Sequence, residues 1–172
     1  MQTTEQLLHA GDTLLESLKS EIDDVRQIVA SIPWSEEFTH ETNGALRKHQ
    51  AAYNAVLAES FATRGWTVQP ELCADPQLIG DFRKGLVFGE IQFGNSATLY
   101  RDFYKFQYGL QHGLLSLAVL IVPENENDFF PTRARSVHNM ANFSRALQYF
   151  TVLPIAVPTW LIGLRASNRS PS

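Results

Sequence analysis

The feature that most restricts the fold of this chain is a nine-residue stretch, Leu114–Val122, in which Ser116 is the only polar residue. A helix that spans a bilayer needs about 20 apolar residues, so this stretch is too short to cross a membrane. Pro123 ends it, and a short apolar segment with such an end is typical of a strand that is buried on both faces of a sheet. The sequence therefore predicts a sheet covered by helices on both sides.

The periodicity of apolar residues predicts the elements around this strand. Over residues 4–32, aliphatic side chains recur at spacings of three and four residues, as they do along one face of a helix. The same criterion, with stop signals at Gly65 and Gly113, predicts further helices over residues 43–64, 97–112 and about 135–150. Alternating apolar residues predict short strands over residues 66–72, 78–83, 86–93, 152–157 and 160–164. We therefore expect a single α/β domain with a mixed central β-sheet flanked by helices.

The chain carries a net charge of −4 and a single cysteine, Cys73. One cysteine forms no intrachain disulfide, and the N-terminal residues lack the pattern of a secretory signal, so we expect a cytoplasmic protein. The charge is unevenly distributed, because residues 131–172 hold five arginines and no acid, whereas residues 1–130 hold all eighteen acids. A basic C-terminal region is compatible with DNA binding on one face; the alternative is a few surface arginines and a disordered tail over residues 166–172.

A β-hairpin is predicted where Lys84 and Gly85 separate two apolar-alternating stretches. Asp81 and Glu90 lie on its two arms, nine residues apart. In a hairpin with an even-numbered loop, such a pair shares one face of the sheet. The two acids are directly opposed if the turn is centred after Gly85, and diagonal neighbours if it is centred before Gly85. In both registers Gln92 lies on the same face as Glu90.

Two carboxylates held this close repel each other, and a hard divalent cation relieves the repulsion. Mg²⁺ binds proteins through one or two carboxylates, with water and substrate phosphate oxygens as its other ligands. Such an ion stabilises charge on a phosphodiester and lowers the pKa of a water molecule that attacks it. The alternative is that Asp81 and Glu90 are solvated on the wet face of the sheet and pair with Arg83 or Lys84.

The order of Asp81, eight intervening residues, Glu90, Ile91 and Gln92 resembles the active-site motif of the PD-(D/E)XK nuclease fold. The segment GEIQFGN, Gly89 to Asn95, is similar to the BglII/BstYI group of type II restriction endonucleases, in which glutamine replaces the usual motif lysine. The resemblance implies one endonuclease domain over residues 1–172, with N-terminal helices over 4–64, a catalytic core over about 59–123, and a C-terminal helix and strands over 124–165.

The resemblance also implies a role for each residue of the motif. Asp81 and Glu90 hold Mg²⁺, the backbone carbonyl of Ile91 is a further metal ligand, and Gln92 orients the attacking water. Unlike the lysine of most relatives, Gln92 has no charge to stabilise the reacting phosphate. Glu59, late in the second predicted helix, is a candidate auxiliary acid, and surface exposure is its alternative.

Candidate DNA contacts are the polar and basic residues that follow the motif or lie in the acid-free C-terminal region: Asn95, Ser96, Arg101, Lys105, Arg133, Arg135, Ser136 and Asn139. An asparagine just past the motif matches the position from which the similar enzymes contact bases, and asparagine can bind adenine through two hydrogen bonds. The alternative for Asn95 or Ser96 is an N-cap of the next helix. Arg101 and Lys105, which share a helix face, are candidates for a phosphate contact or for a positive charge near the metals, and the alternative is a solvated helix face, opposite the apolar stripe of that helix.

The resulting hypothesis is a type II restriction endonuclease that hydrolyses double-stranded DNA as a homodimer at a short palindrome, by analogy one with a GATC core. A symmetric dimer places two identical sites on two antiparallel strands, and helix 4–32 is the candidate dimer surface. The alternatives are a non-catalytic DNA-binding or assembly protein on a nuclease fold, and a nuclease subunit in repair or transposition. The histidines show no zinc spacing, and we find no phosphate loop or GxSxG elbow.

Overall fold

The apolar stretch of the sequence lies at the centre of the fold. In the computed structural model of the chain, the described residues are 2–34, 39–42, 45–48, 50–129 and 139–166, with only the backbone described for 39–42 and 45–48. Strand β9 (Leu117–Pro123) is buried at every position. It pairs in parallel with β8 (Val87–Ile91) on one side and with β10 (Thr159–Leu164) on the other. The predicted doubly buried strand is confirmed.

Antiparallel strands complete this sheet at both edges. Strand β1 (Thr3–Leu8) pairs with β10, and β7 (Phe82–Lys84) pairs with β8. The short strand β4 (Thr67–Val68) pairs with β7. Within the described residues the main sheet therefore has the order β1-β10-β9-β8-β7-β4. It is a mixed sheet, as the sequence predicts.

The remaining elements are two small antiparallel sheets and the helices. The small sheets pair β2 (Thr39–Thr42) with β3 (Ala45–Lys48), and β5 (Glu71–Ala74) with β6 (Gln77–Ile79). The helices are α1 (Asp12–Ser17), α2 (Lys19–Ser31), α3 (Gln50–Thr63), α4 (Leu99–Gln111), α5 (Glu126–Phe129) and α6 (Phe143–Val152). In the part of the chain that the structure describes, no helix has the length and apolar character needed to cross a membrane.

Alternation along the central strands divides the core into two layers. Val119 and Ile121 of β9 belong to a cluster with buried residues of α2 and α3, such as Val25 and Leu57. Ala118, Leu120 and Val122 belong to a second cluster with buried residues of α4 and α6, including Phe103, Phe106 and Phe150. Successive side chains of a strand point to opposite faces, so one apolar strand supplies both layers. Helices on both faces are the predicted arrangement.

The first predicted helix is wrong at its start. Residues 3–8 form β1, and helical structure begins only at Asp12 and is interrupted at Leu18. Strand β1 gains its hydrogen bonds from β10, a partner that local periodicity does not include. The predicted use of this helix for dimer packing is also wrong, because the apolar stripe of α2, including Val25 and Ile28, is buried in the chain's own core.

Other boundaries differ for similar reasons. The second predicted helix begins at Gln50 rather than residue 43, and residues 45–48 belong to a strand. The predicted strand over 66–72 is divided between β4 and β5, and the first hairpin arm is shorter because Leu78 belongs to β6. The predicted strand over 152–157 is absent, since α6 extends to Val152. The predicted helix over 97–112 and the last strand are confirmed to within two residues.

Candidate active site

The hairpin of β7 and β8 places the two predicted acids beside each other. Lys84 pairs with Val87 and Phe82 pairs with Gly89, so the turn is centred after Gly85. When this register is extended by one residue pair, Asp81 lies opposite Glu90. The backbone N–H of Ile91 donates a hydrogen bond of 2.6 Å to Asp81 Oδ2, which fixes that carboxylate next to Glu90. The predicted convergence on one face is confirmed.

The hairpin acids are not solvated. The exposed fraction of Glu90 is 4%, and Asp81 is half-buried. The two basic residues that the alternative reading assigns to them are engaged elsewhere: Lys84 Nζ lies 2.8 Å from Asp24 Oδ2, and Arg83 Nε donates to the carbonyl of Gly85. That alternative is wrong, because the partner of Glu90 comes from a different element.

Helix α4 supplies that partner. Lys105 Nζ lies 2.7 Å from Glu90 Oε1 and 3.3 Å from Asp102 Oδ1. The exposed fractions of Lys105 and Asp102 are 4% and 2%. The prediction that Lys105 shares a solvated face with Arg101 is therefore wrong: Arg101 is exposed and Lys105 points into the sheet.

Sequence reasoning missed Asp102, although a signal was present. It lies three residues after Leu99 and directly before Phe103, within the apolar stripe of its helix, where an acid is costly to bury without partners. Lys105 follows at the i, i+3 spacing that brings two side chains together on one helix face. An acid–base pair at the edge of a buried stripe indicates an internal site rather than a solvated surface.

Gln92 is held at both ends of its amide. Its Nε2 donates to Asp102 Oδ2 over 3.1 Å, and its Oε1 accepts from the backbone N–H of Gly94 over 2.8 Å. A Cβ atom at Gly94 would lie only 2.9 Å from that Oε1, so any other residue there would displace the amide. The glycine that follows the motif therefore permits the orientation of Gln92.

The three acids of the site have raised pKa values. Burial raises the pKa of Asp81, against the opposing effects of the Ile91 N–H and of Lys105. Burial, with the charges of Asp102 and Asp81, raises the pKa of Glu90 well above its usual range, and Lys105 opposes this. Burial also raises the pKa of Asp102, again against Lys105. One ammonium thus faces three carboxyl groups, and the site favours additional positive charge.

The donor chemistry of the hairpin fits Mg²⁺. Asp81 and Glu90 offer hard carboxylate oxygens, and Mg²⁺ takes one or two carboxylates and completes its shell with water and substrate. Asp102 uses one oxygen for Lys105 and the other for Gln92. Among the described residues, no group of three or more His, Cys, Asp or Glu side chains is arranged to hold a metal. The hairpin pair is therefore the candidate, with Asp102 outside it.

The loop after the motif meets a segment from the C-terminal part of the chain. Ser96 N–H donates to the carbonyl of Asn139, and Ala141 N–H donates to that of Gly94. Asn95 Oδ1 accepts from Ala97 N–H, so the predicted N-cap role is confirmed, here for a 3-10 turn before α4. Three predicted DNA contacts, Asn95, Ser96 and Asn139, are thus brought together beside the motif.

The other predicted contacts have different outcomes. Arg133, Arg135 and Ser136 lie outside the described residues. Arg145 is not one of the predicted contacts, yet its Nη1 donates to Ser96 Oγ and to the carbonyl of Met140 at the same loop. Glu59 is exposed on α3.

The sequence matches the family model of restriction endonuclease BglII/BglIII over residues 3–164. The fold is similar to a crystal structure of restriction endonuclease BglII complexed with a DNA 16-mer, at 14% identity and a TM-score of 0.79, covering 99% of this chain and 81% of that one. It is also similar to a crystal structure of free BglII, at 17% identity and a TM-score of 0.67, with coverage of 99% and 82%. No curated protein matches the sequence.

Proposed function

Because this chain belongs to the BglII/BglIII family of restriction endonucleases and is a type II site-specific DNA endonuclease, we propose a Mg²⁺-dependent mechanism centred on the β7–β8 hairpin. The reaction is hydrolysis of phosphodiester bonds in double-stranded DNA at a short palindrome. By analogy with the similar enzymes, we propose that this palindrome has a GATC core. The observation that carries the proposal is the convergence of Asp81 and Glu90 beside an oriented Gln92. Restriction acts on DNA inside the cell, so the proposed compartment is the cytoplasm.

In this proposal Asp81, Glu90 and the backbone carbonyl of Ile91 hold Mg²⁺. The ion, when bound, stabilises charge on the scissile phosphate and lowers the pKa of the attacking water. The raised pKa values of Asp81 and Glu90 support this role, since both carboxyl groups gain from a nearby cation. Glu59 is exposed, and the proposal does not need it as an auxiliary ligand.

Gln92 orients the attacking water. A carbonyl oxygen has two lone pairs, and only one on Gln92 Oε1 accepts from Gly94 N–H. The second has no partner among the described residues, so we assign it to a water molecule whose direction is then fixed by the amide. An uncharged amide does not exchange protons near neutral pH, so Gln92 contributes geometry rather than acid–base chemistry.

DNA contacts are proposed for the loop after the motif and for the basic C-terminal region. In the described part of the chain the amide N–H groups of Asn95 have no acceptor, so they are assigned to a base edge, while its Oδ1 caps the 3-10 turn. Ser96 and Asn139 lie beside it, and Arg101 is exposed on α4. Arg133, Arg135 and Ser136 complete the set proposed for phosphate or base contacts. Lys105 is removed from this set, because it is buried against Glu90.

A homodimer is proposed because a palindrome presents the same sequence on two antiparallel strands. The candidate surface is an aromatic patch formed by the outer faces of α4 and α6. Tyr100 and Tyr104 are 51% and 53% exposed, Val152 is 72% exposed, and Tyr100 stacks on Tyr149 with ring centroids 5.1 Å apart. The four residues named here are uncharged, which suits a second protein copy better than a phosphate backbone, since the latter requires basic residues.

The test of the function is cleavage of a phage genome by the purified protein with Mg²⁺, followed by sequencing of the ends. Discrete fragments with one shared end sequence are expected. Random ends would contradict site specificity, and intact DNA across many genomes would contradict hydrolysis. Tyr104→Lys should convert a sedimenting dimer into a monomer, whereas Gln111→Lys, at an exposed position near the end of the same helix, serves as a control for the added charge and for folding.

A further inference from the structure

Asp102 and Lys105 lie at the centre of the site, although the motif contains neither. The Lys105 ammonium contacts Glu90 Oε1 at 2.7 Å and Asp102 Oδ1 at 3.3 Å. The second Asp102 oxygen accepts from Gln92 Nε2 at 3.1 Å. Asp102 therefore connects the only charged partner of Glu90 in the described structure with the amide of the motif.

We propose that Asp102 and Lys105 are positioning residues of the active site. Lys105 balances the charge of Glu90 while no divalent cation is bound, and Asp102 holds both Lys105 and Gln92 in place. This inference rests on the proposed role of Asp81 and Glu90 as metal ligands.

The chemistry of the two side chains supports these roles. An ammonium is a compact charge on a flexible stem, so it can withdraw from Glu90 without a change in the backbone. Asp102 is the second contact to which the Lys105 ammonium remains bound. A divalent cation at Glu90 is repelled by that ammonium, which already occupies one oxygen of the carboxylate, whereas the negative charge of Asp102 favours the cation. The two residues should therefore affect metal affinity in opposite directions.

The test measures the binding of Mn²⁺ alone to the DNA-free protein, by the electron paramagnetic resonance signal of the free ion. Lys105→Met should tighten Mn²⁺ binding about fivefold or more, because it removes the competing charge. Asp102→Asn should weaken binding by about the same factor, because it removes an acid and leaves Lys105 to Glu90. A purely structural role would weaken binding in both variants. Shifts in the same direction, or no shift, would overturn the proposal.

The second charge cluster of the same hairpin supplies matched controls. Lys84→Met and Asp24→Asn alter a lysine–aspartate pair at the other end of the hairpin, and Mn²⁺ affinity should stay within about twofold. If Lys105→Met does not fold, the double variant Lys105→Met/Asp102→Asn keeps the net charge of the cluster. It should bind Mn²⁺ at least as tightly as the unchanged protein, and weaker binding would overturn the proposal.

The link between Asp102 and Gln92 has its own readout. At saturating Mn²⁺, single-turnover cleavage by Asp102→Asn should still be about tenfold slower, because the single acceptor oxygen of asparagine cannot hold both Lys105 and the Gln92 amide, as the two oxygens of Asp102 do. A rate restored fully by excess Mn²⁺ would contradict the positioning of Gln92. Failure of the proposed function has a different signature: the unchanged protein would bind no Mn²⁺, or Glu90→Gln would bind it equally well.

Discussion

The two ends of the β7–β8 hairpin carry opposite kinds of ion cluster. At the turn, Lys84 lies 2.8 Å and Arg64 3.7 Å from the Asp24 carboxylate, and all three side chains are partly exposed. At the open end, Lys105 faces Glu90, Asp102 and the nearby Asp81. The side chains of Lys105, Glu90 and Asp102 are buried. The turn cluster, Asp24 with Lys84 and Arg64, has more cations than acids; the site cluster, Asp81, Glu90, Asp102 and Lys105, has more acids than cations.

The pKa values follow this difference. Burial disfavours the charged form of Asp24, but hydrogen bonds from Lys84 and Trp66 and the charge of Arg64 outweigh it and lower the pKa of Asp24. In the site cluster burial prevails and the pKa of Glu90 is raised. A fold selected for stability alone would not bury Glu90 and Asp102, with Asp81 half-buried beside them, around one base, since an incompletely compensated buried charge is costly. The excess of acid therefore agrees with the proposed divalent-cation site.

The largest expected difference between the clusters is in catalysis. Glu90→Ala should lower the rate of DNA cleavage about 10³-fold or more, because it removes a proposed metal ligand. DNA binding in Ca²⁺ should be largely retained. Asp24→Ala, the matched change in the turn cluster, should leave the rate within about twofold. A comparable loss in both variants would mean that the hairpin acids act through folding rather than chemistry.

The next difference is in folding stability without metal. Lys105→Met should lower the free energy of unfolding by about 3 kcal/mol or more, since removing one partner of a buried pair leaves uncompensated charge. Lys84→Met should cost at most about 1 kcal/mol, because its pair is partly exposed and screened. Urea denaturation of both variants gives the comparison. Equal losses would show that the two clusters are energetically alike.

Bound metal should raise the folding stability through the site cluster and not through the turn cluster. Mg²⁺ at about 100 times its dissociation constant should raise the free energy of unfolding by about 2.7 kcal/mol, because it binds only the folded site. Asp24→Asn should show the same increase in thermal denaturation. In Glu90→Gln the increase should be largely lost. An undiminished Mg²⁺ effect in Glu90→Gln would place the ion elsewhere.

Sequence reasoning succeeded where the information is local. The hairpin, its shared face and the capping role of Asn95 depend on residues within a few positions of one another, and all three are confirmed. The central strand is recognisable because it is apolar on both faces. These features also carry the resemblance to restriction endonucleases, so family and fold could be predicted from the motif region.

The failures depend on contacts between distant segments. Strand β1 has no strong apolar alternation, and it is a strand because β10, more than 150 residues later, pairs with it. Lysine is a residue type expected at exposed helix positions, and only the packing of α4 against the sheet brings Lys105 to Glu90. Periodicity describes the face of a helix but does not specify what that face meets.

The smallest predicted effect is the pH dependence of the turn cluster. Because the folded pKa of Asp24 is below its unfolded value, near 3.9, this carboxylate stabilises the fold above that value. The stabilisation, at most about 1 kcal/mol for a partly exposed pair, is lost as the pH falls through the folded pKa. The unfolding free energies of the unchanged protein and Asp24→Asn should therefore differ at pH 7 and converge as the pH falls below about 3.9. The site acids have raised folded pKa values, so their charge destabilises the metal-free fold above those values, and the cost disappears as the pH falls toward their unfolded values. If the difference in unfolding free energy between the unchanged protein and Asp24→Asn grew on acidification, Asp24 would behave like the site acids. The contrast between the two ends of the hairpin would then disappear.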